Sequence, residues 1–396
     1  AAHASEMSKA NLGSRYYVFN LLAELDDGAE YYISRSGPNA GMLYFQPAAG
    51  AWPPATSSPF AGAHVSAATS LIELNHASSV VFQGISFQHA RGTAINGSNV
   101  RSITIRNSTV ANCGGAGIDL SGYNITVADC EVFGVGGTAV AVVGGLHRTL
   151  TRGNNLVTRN DLHHYARWKR TYQPAILWSG VGNIYSWNHI HDAPHNGILG
   201  GGSMSSSSAG LLNWLHHESC TLQNLLDPSA HQAVCGGNDN LFDSNLIEHT
   251  NYECDDSGAF YTCGQQGTGF VNRGNVLRNN TFKRIRMEDA TNLGYPSVQA
   301  IYLDDSMSGW LIENNTVEDA QMGIMVGGGR DTIIRNNRWV NCDKGIHIDN
   351  RGMTGRGGDG DPADLTQLKA VMLLPAWQKY GLTDENVGVP VNDTVI

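Results

Sequence analysis

Two neighbouring stretches decide the fold: Ile312-Glu-Asn-Asn-Thr-Val317 leading to Gly323-Ile-Met-Val326, and Ile334-Arg-Asn-Asn-Arg-Trp339 leading to Gly345-Ile-His-Ile348. Each reads as an aliphatic strand, an Asn-rich turn, a second strand, then a glycine followed by alternating apolar residues. Gly323 and Gly345 are 22 residues apart. A phrase of that length, with β-branched runs of a few residues between turns, supplies the three short strands and three turns of one coil of a parallel β-helix. An earlier copy runs Ile105-Arg-Asn-Ser-Thr-Val110 to Gly117-Ile-Asp-Leu120. Aligned starting points at Ile72, Ala94, Gly117, Ala139, Ala175, Gly197, Gly258, Ala300, Gly323 and Gly345 give about ten coils of an all-β solenoid.

The alignment places Asn160, Asn188, Asn245, Asn280, Asn315 and Asn337 in one column, with Ser108 and Cys130 ahead of them. Asparagine tolerates the left-handed backbone of a tight turn, and its amide can pair with the same residue one coil away, about 4.8 Å distant. The column is therefore expected to be a structural asparagine ladder. Three intervals exceed the period: 36 residues from Ala139 to Ala175, 61 from Gly197 to Gly258 and 42 from Gly258 to Ala300. Expected insertions thus lie near 145–172, 199–240 and 264–297, and insertions gathered on central coils commonly wall a binding groove. Residues 1–63, with Tyr16–Leu21, Glu30–Arg35 and Met42–Pro47 as short strands around Gly/Pro turns, are expected to form a β-rich N-terminal cap. The solenoid should span 64–352. Residues 353–396 should form a Gly-rich loop and a capping helix over Leu365–Tyr380.

The composition excludes several functions. The 41% hydrophobic content supports a large core and argues against disorder. A net charge of −10 without a basic cluster argues against nucleic acid as a partner. No apolar run approaches the ~18 residues of a transmembrane helix, so no membrane span is expected. The chain opens Ala-Ala-His-Ala-Ser without an initiator Met, which is expected of a polypeptide from which an upstream part was removed.

The seven cysteines show no CxxC spacing, which turns the reading from zinc to disulfides, Cys220 with Cys235 and Cys254 with Cys263. Asn-x-Ser/Thr sequons make Asn96, Asn124 and Asn392 glycosylation candidates and fit a secreted protein. Asp359, Asp361 and Asp364 could offer oxygen ligands to calcium, but a solvated loop is the better reading, and no cofactor is expected.

The chemistry-bearing residues fall on three successive coils: Pro194-His-Asn-Gly-Ile198, Asp255-Asp-Ser-Gly-Ala-Phe-Tyr261 and Ile301-Tyr-Leu-Asp-Asp305. Together with Glu24-Leu-Asp-Asp-Gly-Ala-Glu-Tyr-Tyr-Ile-Ser-Arg35 and Met42-Leu-Tyr-Phe-Gln-Pro47 they resemble right-handed parallel β-helix glycoside hydrolases of family 141, a likeness covering most of the chain. The resemblance implies a right-handed solenoid, α-L-fucosidase or xylanase-like activity, and paired-carboxylate hydrolysis by Asp256 and Asp304. Full-length relatives carry further coils before the Glu24–Arg35 stretch, so this chain is expected to be a processed form or to build its N-terminal cap differently.

Read from the residues alone, a glycosidase needs two carboxyls about 5 to 9.5 Å apart. With Gly258 aligned to Ala300, Asp256 and Asp304 are six residue steps out of register, about 20 Å along a flat strand, so the pair works only if the chain bends. The same alignment sets His195 directly over Asp256, where a carboxylate would orient the imidazole or raise its pKa. Asp255 and Asp305 flank the pair as substrate-binding candidates. Asp349 stacks below Asp304 with Gly327 between. Phe260, Tyr302 and Trp178 offer outward faces for sugar rings. His163, His191 and Glu248 share a column with metal-ligand spacing, although a polar outer row is the simpler reading; His191 joins the substrate-binding candidates.

The expectation is an extracellular glycoside hydrolase acting on a cell-wall or matrix polysaccharide, with self-association possible. The alternatives are a noncatalytic structural or carbohydrate-binding β-helix and, less favoured because the motifs are acidic, a polysaccharide lyase.

Overall fold

The computed structural model describes residues 19–28, 30–47, 64–201, 236–264, 268–288, 298–349 and 365–387. The chain divides into two compact units, Ala1–Val65 and Ser66–Ile396. In the first, Glu30–Ile33 and Leu43–Gln46 pair as an antiparallel hairpin, with the Tyr32 and Tyr44 rings 5.8 Å apart. Most of the expected strand at 16–21 lies outside the described residues.

The second unit is a right-handed parallel β-helix whose wall is made of three parallel ladders. One runs from Ile72–Glu73 through Ile118–Tyr123, Val140–Leu146, Ile176–Val181, Ile198–Gly200, Ser257–Cys263, Val298–Asp304 and Met322–Gly327 to Lys344–Asp349. A second runs from Ser78–Gln83 to Ile333–Arg335, sharing the long strand Ile95–Arg106 with the first. The third is a nine-stranded sheet from Ser86–Gln88 to Arg338–Val340, which includes Asp161–His163, His189–Ala193 and Leu246–Thr250. Side chains alternate across each strand, so Ile301 and Leu303 face the interior while Tyr302 between them faces out.

Asparagines hold the turns. The Asn160 amide donates to Asn188 Oδ1, and the same side-chain bond, each 2.9 Å, repeats through Asn245, Asn280, Asn315 and Asn337. Each carbonyl oxygen also accepts the backbone N–H of its neighbour, which satisfies groups that burial would otherwise leave orphaned. A second ladder, unanticipated from the sequence, runs through Asn155, Asn183, Asn240 and Asn275 at another corner, and Ile125 donates its N–H to Asn155 ahead of it.

The register over one coil corrects the sequence alignment. Ile198 pairs with Phe260 and Ser257 with Val298, so Gly197 and Ala300 both align with Ala259, not with Gly258. Because the side-chain period is two, a one-residue slip exchanges the faces of the strand. Phe260, expected outside, is fully buried and packs its ring 5.0 Å from Phe242 and 5.4 Å from Trp310. Trp178 lies in the same interior stack, 4.8 Å from Phe242. Tyr261 takes the outward place assigned to Phe260, and His195 falls opposite Ser257, not Asp256.

The expected single helix at 365–380 is divided into Thr366–Val371 and a 3-10 turn, Pro375–Tyr380. Pro375 has no N–H to continue the first helix, and its ring disfavours a helical residue before it. The segment covers the flank of the middle coils. Leu368, Val371 and Trp377 pack against Leu150, Val181 and Val271, and the Trp377 indole donates to the His147 carbonyl at 2.9 Å.

The Cys254–Cys263 disulfide is also corrected: both residues are free thiols. The extended strand Ser257–Cys263 lies between them and spans about 20 Å, whereas a disulfide needs Cα atoms within about 7 Å. Cys220 and Cys235 lie outside the described residues, as do Asn392 and the cluster Asp359, Asp361 and Asp364.

Candidate active site

Along the outer face of the first ladder, register places Leu177, Leu199, Tyr261, Tyr302 and Met325 in one row. Leu199, Tyr261 and Tyr302 are nevertheless buried, and Tyr172 packs over them with its ring 6.1 Å from Tyr261 and inclined by 22°. An apolar, aromatic floor thus lies on what would otherwise be an exposed face.

The two favoured carboxylates sit on this floor. The Tyr261 hydroxyl donates to Asp304 Oδ2 at 2.8 Å, and the Tyr302 hydroxyl donates to Asp256 Oδ1 at 3.2 Å. On a flat strand Asp256 would lie about 17 Å beyond Tyr261, the register partner of Tyr302, too far for that contact. The chain instead turns at Asp256, whose φ of 45° is left-handed, and brings its carboxylate back over the ladder. Burial above all, with smaller contributions from the nearby acidic groups Asp256 and Asp304, pushes the Tyr172 hydroxyl well above the usual tyrosine range. Asp256 is exposed, whereas Asp304 is buried and also accepts the Asp305 N–H at 2.9 Å.

The remaining candidates divide. Asp305 is half-buried beside Asp304, and Cys263 donates to its Oδ2 at 3.6 Å. Asp255 is exposed next to Asp256. Asp349 pairs in register with Gly327, placing it two coils from Asp304 as expected. His195 is buried, hydrogen-bonded through Nδ1 to Asn196 Oδ1 at 2.6 Å, and tilted against Tyr172 with ring centroids 4.7 Å apart. Burial pushes its pKa down to about 4, not up as a facing carboxylate would. Its place in the site is behind Tyr172. His191 belongs to the nine-stranded sheet, a different face from the carboxylate pair. Of the sequon residues, Asn124 is exposed, while Asn96 is half-buried and donates to Ser70 Oγ at 2.8 Å.

Sequence reading missed Tyr172, Tyr261 and Cys263 as site residues. The signal for Tyr261 was the strand alternation, obscured by the adjacent small residues Gly258 and Ala259. Among the described residues, two groups of side chains could hold a metal: Cys263, Asp304 and Asp305, and separately Asp161, His163 and His191, the ligand atoms of each group lying within 4.8 Å of one another.

Fold and site together define a right-handed β-helix with an acidic, aromatic-floored face. The family model described as a right handed beta helix region matches residues 60–162, and the model described as a periplasmic copper-binding protein (NosD) matches residues 201–355. The comparison with curated proteins gives no match. Among solved structures, the chain is similar to one titled glycoside hydrolase, at 14% identity and a TM-score of 0.48, over 93% of this chain and 61% of that one. It is also similar to the Azotobacter vinelandii mannuronan C-5 epimerase AlgE4 A-module, at 11% identity and a TM-score of 0.32, over 70% of this chain and 58% of that one. This chain therefore spans less than two thirds of the length of either protein.

Proposed function

We propose that this chain is an exported, carbohydrate-active β-helix protein and, more narrowly, a glycoside hydrolase using Asp256 and Asp304 on a cell-wall or matrix polysaccharide. The observation that carries the reading is the crossed tyrosine pair, which holds one exposed and one buried carboxylate on two adjacent strands of the same aromatic floor. In such a pair one carboxyl gives a proton to the glycosidic oxygen as the bond breaks. The other attacks the anomeric carbon or takes a proton from the attacking water. The resemblance of the three motifs to family 141 supports the same assignment. An extracellular or periplasmic location accords with this substrate class; no helix among the described residues is long and apolar enough to cross a membrane.

Screening the purified chain on xylans and fucosylated polysaccharides tests the reading. Asp256→Asn and Asp304→Asn should each lower hydrolysis by at least ~100-fold, the scale of a lost general acid or base, with the melting temperature nearly unchanged. Asp349→Asn should have a mild effect. One observation favours a noncatalytic, carbohydrate-binding scaffold: Asp304 is only 6% exposed, enclosed as a structural carboxylate would be. If Asp304→Asn lowers the melting temperature sharply, and activity falls only with the folded fraction, that second reading replaces the first.

A further inference from the structure

On the nine-stranded sheet, a different face from the tyrosine pair, two adjacent strands carry Asp161-Leu-His163 and His189-Ile-His191. Leu162 and Ile190 are fully buried in the core, so alternation puts Asp161, His163, His189 and His191 together on the outer face. Asp161 pairs in register with His189, and His163 with His191. Residues two apart on one strand and opposite on the next form a square a few ångströms on a side, which is the scale of a metal's coordination shell.

We propose that Asp161, His163 and His191 form a binding site for a divalent first-row transition ion of the Zn²⁺, Cu²⁺ or Ni²⁺ type. Their ligand atoms lie within 4.8 Å of one another. Ligands about 2.0–2.2 Å from a tetrahedral ion stand roughly 3.3–3.5 Å apart, so closure needs only small side-chain shifts. His191 Nε2 faces Asp161 Oδ1 at 2.9 Å, and an ion would take the place of the hydrogen between them. Two imidazoles and one carboxylate suit these ions better than calcium or magnesium, which prefer all-oxygen sets.

A carboxylate backs the ring of His191. His191 Nδ1 is 2.7 Å from Asp192 Oδ2, leaving Nε2 to face Asp161. Asp192 is held in turn by His249, and His163 Nδ1 is 2.7 Å from His164 Nδ1. The carboxylate behind His191 is the usual outer shell of a metal-binding histidine. The rings lie in one stack, Phe133 on His163 at 5.1 Å, His163 on His191 at 4.8 Å, and His191 on His189 at 4.2 Å, and an ion shared by His163 and His191 would tilt their edges toward one another. Glu131 lies 3.5 Å from His163 Nε2 on the neighbouring strand.

The test is calorimetric titration of the whole, chelator-treated chain with ZnCl₂, and electron paramagnetic resonance of the same chain loaded with Cu²⁺. One tightly bound equivalent is expected, with nitrogen hyperfine structure from imidazole. His163→Gln and His191→Gln should each weaken binding at least tenfold, and Asp192→Asn, which removes no ligand, about tenfold. Circular dichroism of the metal-free variants should be unchanged, because these positions face outward. Cys263→Ser, at the other candidate cluster, should leave the affinity intact. Absence of a stoichiometric site, full affinity in the His163→Gln/His191→Gln double variant, or loss of binding in Cys263→Ser instead would each overturn the proposal.

Discussion

Tyr261 and Tyr302 stand opposite one another on adjacent strands, ring centroids 5.0 Å apart, and each gives its hydroxyl to a different aspartate. Backbone hydrogen bonding fixes the spacing of the two rings. The carboxylates at their ends are therefore positioned by the ladder as well as by their own loops.

Tyr261→Phe removes the hydrogen bond to Asp304 while keeping the ring. Loss of one buried bond should cost about 1 kcal/mol of stability. If Asp304 is catalytic, kcat/KM should fall by roughly tenfold or more. In the Asp304→Asn background the same change should have little further effect, because the two residues act as one unit. Full additivity in this cycle would show that the phenol does not act through Asp304.

Asn245 receives two hydrogen bonds from Asn188 and donates to the Tyr185 carbonyl and to Asn280. Asn245→Ala should lower unfolding free energy by at least ~2 kcal/mol, since several buried groups lose their partner at once. Asn337, half-buried at the end of the row, should cost less on the same substitution. Chemical denaturation of the two variants checks the order.

Two histidines and one aspartate predict opposite pH dependences. Burial pushes His195 and His147 down to about 4. Their unfolded counterparts protonate near 6.5. The unfolded chain therefore binds more protons between these values, and the stability contribution of both rings, full above about 6.5, is lost as pH falls toward 4. Burial raises Asp119 to about 7, so its contribution is full below the unfolded value of 3.8 and is lost as pH rises through 7. Asp119→Asn should accordingly raise the melting temperature more at pH 8 than at pH 4.5, and equal shifts at both would contradict the assignment.

Cys113, Cys130, Cys254, Cys263 and Cys342 are thiols outside any disulfide, and burial raises the Cys254 thiol to about 12. In the folded protein at pH 8, Cys254 should react slowly with thiol reagents, because little thiolate is present. After unfolding without reductant, all five should be alkylated, as peptide mass mapping would show.

The coil period, the ladder from Asn160 to Asn337 and the central position of the carboxylate motifs were legible in the residues, because each depends on a repeat and repeats survive without coordinates. The second ladder through Asn155 and Asn275 was hidden, because its turns sit beside coil-to-coil length changes that break a simple alignment. The Cys254–Cys263 assignment failed for another reason: spacing along the chain says nothing about the distance across an extended strand.

Sequence by itself determined that this chain coils as a parallel β-helix, since strands of four or five residues at a 22-residue period, with asparagine at the turns, bury their apolar side chains in no simpler way. Tertiary structure decided which face each residue of Ser257–Cys263 presents. The choice between Gly258 and Ala259 as coil start is neutral locally and is settled only when the Phe260 ring finds its place among Phe242 and Trp310. That one-residue register turned Tyr261 outward toward Asp304, and the left-handed turn at Asp256 returned the second carboxylate to Tyr302, a contact that depends on chain bending and on packing between coils.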